Sequence, residues 1–328
     1  MNGILLVDKP AGLTSHDVVS RLRRASNMRR IGHTGTLDPA ATGLLILCIG
    51  PATRLSEFLT GLEKTYEGTL RLGITTATYD LDGEVVRERP VPALTEDAIR
   101  EVFAKFTGDI MQAPPQVSAV KIDGERSYKR ARRGEDVKPE PRPVSVLAFE
   151  LLSWNTPDIG FRVQCTRGTY ARSLCHDVGE QLGCGGVLAE LRRTAVGKHH
   201  IENAASLDDL ADPESVQARL LPIGDALDLP AVTVNKGARQ VIATGGHITS
   251  PDLRGPCPLT SGWVQIKDDD GDLLALGEVQ GVGQKPDSAA PAFVQIMPKR
   301  VFCADEAPRH PARGGRPHQG SRRRAHGR

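Results

Sequence analysis

Hydrophobic and polar positions recur along this chain with two periods, and the switches between them place the elements. Ile4 to Val7 is a short apolar run that reads as a strand, and Lys9, Pro10 and Gly12 behind it form a turn by composition. Thr14 with Asp17 fits a capping box; Val18, Val19, Leu22 and Ala25 then repeat at helical spacing and leave Arg21, Arg23 and Arg24 on the open side. The unbroken run Leu44 to Ile49 predicts a buried strand. From Lys64 the period falls to two, with Tyr66, Gly68, Leu70 and Leu72 on one face and Thr65, Glu67, Thr69 and Arg71 on a wet one. TTATYDLDGEVV predicts a loop and hairpin around Asp82-Gly83. Thr95 caps a helix with Glu96 and Asp97 in its first turn, a stripe of Ile99, Val102, Phe103 and Phe106, and Gly108 as its stop.

Further on, PPQVSAVKIDGERSYKRARRGE predicts a strand, an Asp-Gly turn and a short basic helix. Val144 to Leu152 and Phe161 to Cys165 read as strands, and Tyr170, Leu174, Val178 and Leu182 form a helical face closed by Gly183. Ser206 and Asp209 predict the start of a short connecting helix. Strands and helices interleave irregularly with hairpin signals between them, so the expected class is α+β with a mixed sheet rather than a doubly wound parallel one. Past Leu229 the segments Trp263 to Ile266 and Leu273 to Val279 flank an acidic turn, Asp268 to Asp272, and imply a small β-rich domain to about Phe302. The expected organisation is a first domain over 1–228, a second over 229–304 and a disordered basic tail over 305–328.

Composition narrows the class. Of 328 residues 39% are hydrophobic and 25% charged, as in a globular protein. No stretch approaches the ~20 apolar residues of a membrane span, and no basic region precedes the short apolar N-terminus, so a cytoplasmic protein is expected. The six cysteines form no C-x-x-C pair, which predicts reduced thiols and no zinc site. Net charge is +2, yet Ala307 to Arg328 holds seven arginines and no acid, so taking those seven from +2 leaves the body at −5. RNA affinity in the body would have to come from local patches. Candidates are Arg21 to Arg30, Lys121 to Arg133, and Arg192, Arg193 and Lys198. The tail has too little apolar content to offset its ordering entropy and would add nonspecific attraction to RNA.

The chain is organised around GHTGTLDPAATG, Gly32 to Gly43, a polar loop of glycines and threonines with a single acid, Asp38, feeding the buried run. Alone, Asp38-Pro39 reads as a helix N-cap with proline at the first helical position. No Gly-Lys-Ser/Thr closes the loop as a phosphate-binding P-loop requires. Together with LLVDKPAGLTSHDVV and GTYARSLCHDVGEQLGCGG, however, the loop resembles the bacterial tRNA pseudouridine synthase B family, which isomerises a uridine in the T-arm of tRNA. The resemblance runs from Gly3 to about Val196, in the family's motif order. Weaker echoes between Val232 and Val279 resemble the RNA-binding PUA domain.

That resemblance implies the pseudouridine synthase fold, a mixed and mainly antiparallel sheet flanked by helices, with a PUA-like domain behind it. It implies a flipped-out uridine at position 55, Asp38 as nucleophile and Arg172 as its ion-pair partner. Tyr66 would lie on the base and is a candidate proton acceptor; Tyr170 and Leu191 would complete the pocket, and His33 would support the extruded nucleotide. Asp80 fits a family position near the pocket, although the acid three residues earlier in many relatives is Ala77 here. Lys9 and Pro10 would support the loop. The reaction needs no cofactor and no metal, and the expected partner of this monomer is tRNA, with no membrane. Read by their surroundings alone, Tyr66 fits a core strand face, Tyr170 a helix stripe and Leu191 plain packing. The alternative is a noncatalytic RNA-binding or RNA-folding protein in which Asp38 is only a cap; a nucleoside hydrolase would need Asp80 as a second acid.

Overall fold

The computed structural model describes residues 1–116, 121–122, 125–126, 133, 139–257, 261–283 and 293–303. The chain divides into two compact units, Met1–Leu229 and Pro230–Arg328. The expected basic helix near Arg130 and the tail beyond Cys303 lie outside the described residues.

The strands of the first unit are, in chain order, β1 (Gly3–Lys9), β2 (Ile31–Thr34), β3 (Thr42–Ile49), β4 (Lys64–Leu72), β5 (Ile74–Thr76), β6 (Val85–Glu88), β7 (Gly108–Gln112), β8 (Lys121–Ile122), β9 (Glu125–Arg126), β10 (Arg142–Asn155), β11 (Asp158–Cys165), β12 (Gly186–Val196) and β13 (His199–His200). Nine of them form one sheet with the main order β1-β3-β12-β4-β11-β10-β7, while β2 adds to β3 and β13 to β12. Every pairing is antiparallel except that of β12 with β3. β5 with β6 forms a separate hairpin, as the Asp82-Gly83 turn predicts, and β8 with β9 pair antiparallel as a second small sheet.

Helices α1 (Ser15–Ser26), α2 (Ser56–Gly61), α3 (Glu96–Lys105), α4 (Ala171–Gln181) and α5 (Pro213–Ala218) flank this sheet. α1 begins in the expected capping box of Thr14 and Asp17 and stops at Asn27, whose left-handed backbone (φ 53°) ends the helical ladder. Its buried Val18, Val19 and Leu22 pack with Leu5, Val7, Leu45 and Leu47 of β1 and β3 in one core. A second core joins Ile99 and Phe103 of α3 and Leu174 and Val178 of α4 to Leu70, Ile159 and Phe161 of the sheet. Burying each such side chain contributes ~1.5–3 kcal/mol. Tyr66 and Leu191 touch both cores, so they sit on the seam where the two halves of the sheet meet.

Several elements depart from expectation. No helix follows Asp38: Gly32 to Thr34 already belong to β2, and Pro39 and Ala40 form a bend before β3. The N-cap reading of Asp38 is thereby excluded. α3 stops at Lys105, and Gly108, at φ 95°, opens β7. Ser206 and Asp209 do exchange capping hydrogen bonds, but the helix starts only at Pro213, with Asp212 as its cap. Asp212 precedes a proline and is driven out of the helical region, which splits the segment there.

In the second unit β14 (Ala231–Thr233), β15 (Ile248–Thr249), β16 (Gly262–Lys267), β17 (Leu273–Gly283) and β18 (Phe293–Val301) form one sheet in the order β14-β16-β17-β18-β15. α6 (Ala238–Ala243) packs Ala238 and Ile242 into its core. The turn between β16 and β17 is the acidic one, and Arg239 and Arg254 pair with its Asp268 and Asp269. An α+β chain with a β-rich C-terminal unit is what the alternating periods implied.

Candidate active site

The bend after β2 leaves Asp38 half-exposed, and two buried groups fix the backbone around it. Ser15, in the first turn of α1, accepts a hydrogen bond from the Leu37 N–H (2.9 Å) and is 3.2 Å from the Leu37 carbonyl, to which it donates. Lys9 is fully buried at the end of β1 and donates to the carbonyls of Pro10 (2.9 Å), Leu13 (2.7 Å) and Pro39 (3.2 Å). Burial pulls the Lys9 ammonium below the usual lysine range, and the negative charge of Asp38 partly restores it. Lys9 and Pro10 thus support the loop as expected of them, through backbone contacts.

Arg172 reaches the same point from the first turn of α4. The residue is 7% exposed, and its guanidinium lies 3.0 Å from Asp38 Oδ2 and 3.2 Å from Asp80 Oδ2, while Nη1 also donates to the Thr78 carbonyl at 3.2 Å. Asp80 is held in turn by the Thr78 hydroxyl and by the Asp82 N–H at 3.2 Å. One arginine therefore carries two carboxylates, with Ala77 taking no part; the hairpin turn supplies the second acid by itself. Tyr170 is the cap of α4 rather than part of its stripe, and buried Gln112 of β7 pins it on both sides, accepting from its N–H (2.8 Å) and donating to its carbonyl (3.1 Å).

Tyr66 enters from β4, directly opposite Arg193 of β12 in the ladder. Burial raises its phenol above the usual range, and Asp38 pushes the same way; the Arg193 guanidinium beside the hydroxyl opposes both through its charge and a hydrogen bond. His33 lies on β2 opposite Leu47, with a buried Nδ1 that finds no hydrogen-bond partner among the described residues. Burial, then Arg193, then His16 lower its pKa. Leu191, paired with Gly68, lines a cleft of about 510 Å³ together with Ala11, Ala40, Thr42 and Arg192. The cleft reaches the Asp38 loop through Ala40 and does not include Asp38, Tyr66 or Arg172 in its walls.

Two cations at this site escaped the sequence. The supposed patch of Arg192, Arg193 and Lys198 is not one patch: successive residues of a strand face opposite ways, so Arg192 pairs with Asp8 outside while Arg193 is 1% exposed inside. Lys64 is likewise buried, held by the carbonyls of Thr60 (2.6 Å) and Leu62 (2.5 Å), and burial drops its pKa to about 8. Reading Gly186 to Val196 as a strand would have exposed the Arg193 position by parity alone.

The whole fold has close counterparts. It matches, at a TM-score of 0.69 and 26% identity over 92% of this chain and 84% of the other, a chain of an H/ACA RNP bound to a substrate RNA containing 2′-deoxyuridine. The archaeal box H/ACA sRNP Nop10-Cbf5 complex gives the same score at 27% identity, covering 94% and 89%. Residues 23–171 match the N-terminal domain of the TruB family pseudouridylate synthases, and residues 172–228 the C-terminal domain of tRNA pseudouridylate synthase B. Fold and sequence thus define a pseudouridine synthase, an isomerase. Over 229 residues, 69% of this chain and 95% of the relative, it is 52% identical to the tRNA pseudouridine synthase B of Opitutus terrae. Identity to the Thermobifida fusca protein of the same name is 44% over 296 residues, 87% and 97% of the two chains. The chain belongs to the TruB family.

Proposed function

We propose that the protein converts uridine 55 in the T-arm of tRNA to pseudouridine, with Asp38 as nucleophile. The relatives' name supplies the substrate class; the observation that carries the mechanism is the single buried guanidinium of Arg172 holding Asp38 at 3.0 Å and Asp80 at 3.2 Å. Isomerisation breaks the bond from C1′ to N1 and makes one from C1′ to C5; the proton on C5 leaves and N1 gains one, so nothing else is consumed. A carboxylate can attack at the reacting centre or stabilise positive charge at C1′. Arg172 aims it, and Asp80 orients Arg172 rather than meeting the base. The uridine reaches this depth only after leaving the stack, at a cost of about a few kcal/mol. Tyr66 and Leu191, on the seam between the cores, recover part of that by covering the base, and Tyr170 at the α4 cap completes the pocket. His33, whose Nδ1 has no hydrogen-bond partner among the described residues, supports the extruded nucleotide. The β-rich unit past Pro230 acts as a PUA-like RNA platform, and its acidic turn is no obstacle because Arg239 and Arg254 engage two of its acids.

Asp38→Asn tests this directly. The variant should bind unmodified tRNA within about twofold of wild type and release no tritium from [5-³H]uridine tRNA, a loss of at least ~10³-fold. Turnover at the wild-type rate would remove Asp38 from the chemistry, and free uracil in the products would indicate hydrolysis instead.

A further inference from the structure

Arg193 is buried more completely than Arg172, yet no ion pair holds it among the described residues. Its donors go to two backbone carbonyls, Leu44 at 2.7 Å and Gly35 at 3.1 Å. These carbonyls stand at opposite ends of the loop that presents Asp38. Gly35, at φ 88°, leaves the loop's first shoulder open to the guanidinium, and a Cβ there would lie 3.4 Å from Nη1. Gly43 closes the second shoulder: it pairs with Arg193 in the parallel ladder, and a Cβ on it would lie 2.3 Å from the Arg193 carbonyl oxygen. The two flanking glycines of the motif therefore let one strand residue grip the loop from both ends. On its other side the same guanidinium faces the Tyr66 hydroxyl across the antiparallel ladder.

We propose that Arg193 is a positioning residue for the isomerisation: it clamps the two ends of the Asp38 loop, locks that loop in register with Tyr66, and supplies the positive charge that biases the Tyr66 hydroxyl. The proposal rests on the pseudouridine-forming reading of this site. A fully buried cation is costly unless it is well compensated, and here the compensation comes from the two carbonyls that bound the Asp38 loop, so the charge and the loop geometry hold each other in place. Acting through the loop and the phenol, Arg193 should govern the rate of the chemical step and leave RNA docking to the surface.

The test is Arg193→Lys in the full-length protein, with unmodified tRNA. Single-turnover pseudouridine formation should fall about 10²-fold, the scale expected for a reacting group displaced by ~1 Å, while the Kd for tRNA stays within about twofold. Without RNA, the Tyr66 phenol, isolated by difference spectra against Tyr66→Phe in each background, should titrate at higher pH in Arg193→Met, which removes the charge together with the hydrogen bond. If Arg193→Lys does not fold, Gly35→Ala strains the loop backbone at φ 88°, where the Arg193 guanidinium grips it, and must show the same split between rate and binding. Rate and binding falling together with the phenol unmoved would make Arg193 merely structural and overturn the proposal, as would an unchanged rate. A wild-type protein that makes no pseudouridine would instead reject the underlying reading, and the phenol titration separates the two failures.

Discussion

Arg172 and Arg193 flank the same loop and solve the problem of a buried charge in opposite ways. A guanidinium stays protonated in any protein environment, so each must be compensated where it stands. Arg172 is answered by two carboxylates, Asp38 and Asp80, on separate segments. Arg193 is answered by carbonyl dipoles, and so are its neighbours Lys9 and Lys64, which also lack an ion-pair partner among the described residues. The difference is one of direction. An ion pair spends its field locally and fixes the geometry of a particular acid; carbonyl-solvated cations leave positive potential in a low-dielectric space. Asp38 is the acid whose charge reaches both sets, pairing with Arg172 and acting on Lys9 and Tyr66. The nucleophile candidate thus lies between a clamp and a source of field.

The comparison breaks most sharply at Arg172. Arg172→Ala leaves Asp38 and Asp80 without the cation they share; because Asp38 is half-exposed, the loss should fall below the ~3–5 kcal/mol of a fully buried pair, at about 1–3 kcal/mol. Denaturant midpoints should show that loss, and single-turnover pseudouridine formation should drop by at least ~10²-fold. Arg172→Ala/Asp80→Asn should regain part of the stability and none of the rate. If the double variant were as unstable as the single one, the two-carboxylate account of this arginine would be wrong.

Much of this contrast could be read in advance, and the unread part has a physical cause. The capping box at Thr14, the period-two face of Tyr66 and the α3 stripe are local signals, set by neighbours within a few residues, and they survive in the structure. Asp38 and Arg172 needed the resemblance, because an Asp-Pro loop looks like a cap until the structure shows no helix behind it. β12 stayed hidden for two reasons. Its VLAELRRTAV is built from good helix formers, and its alternation is interrupted by register shifts at Leu188/Glu190 and Arg193/Ala195. Missing that strand meant treating Arg193 as surface charge. β7 was lost similarly, since Gly108 serves as a strand entry here and a helix stop by habit.

On the carbonyl-solvated side, Lys64 gives a sharper and smaller test. Burial lowers its pKa from 10.5 to about 8. Between those values the unfolded chain binds more protons than the folded one, so stability rises with pH across the window from about 8 to 10.5. The full shift corresponds to at most ~3.5 kcal/mol at ~1.4 kcal/mol per unit. Lys64→Met keeps the stem and removes the charge, so its stability should be flat over the same window and exceed wild type most at pH 8. Unfolding midpoints at pH 8, 9 and 10 decide it: parallel curves for the two proteins would mean that the carbonyls of Thr60 and Leu62 compensate the ammonium completely.

The third case reverses the sign. Asp177, five residues after Arg172 on α4, is an acid with no ion-pair partner among the described residues; burial, helped by Glu180, raises its pKa from 3.8 to about 6. Glu180 itself is engaged by Arg89, so that cation is taken. A folded-state pKa above the unfolded one means that the native protein binds more protons between pH 3.8 and about 6. Stability contributed by the neutral acid is present below that window and is lost as pH rises through it. At neutral pH the Asp177 carboxylate is therefore a liability, and Asp177→Asn should stabilise the protein by about 1–2 kcal/mol, below the ceiling set by ~1.4 kcal/mol per unit because the group is only partly buried. The gain should appear as a Tm higher by ~2–8 °C at pH 7 and shrink toward zero at pH 4. If the Asn variant gained equally at both values, the effect would come from packing or a new hydrogen bond. Lone anions would then behave unlike the lone cations beside Asp38, and α4 would be using charge only at its first turn.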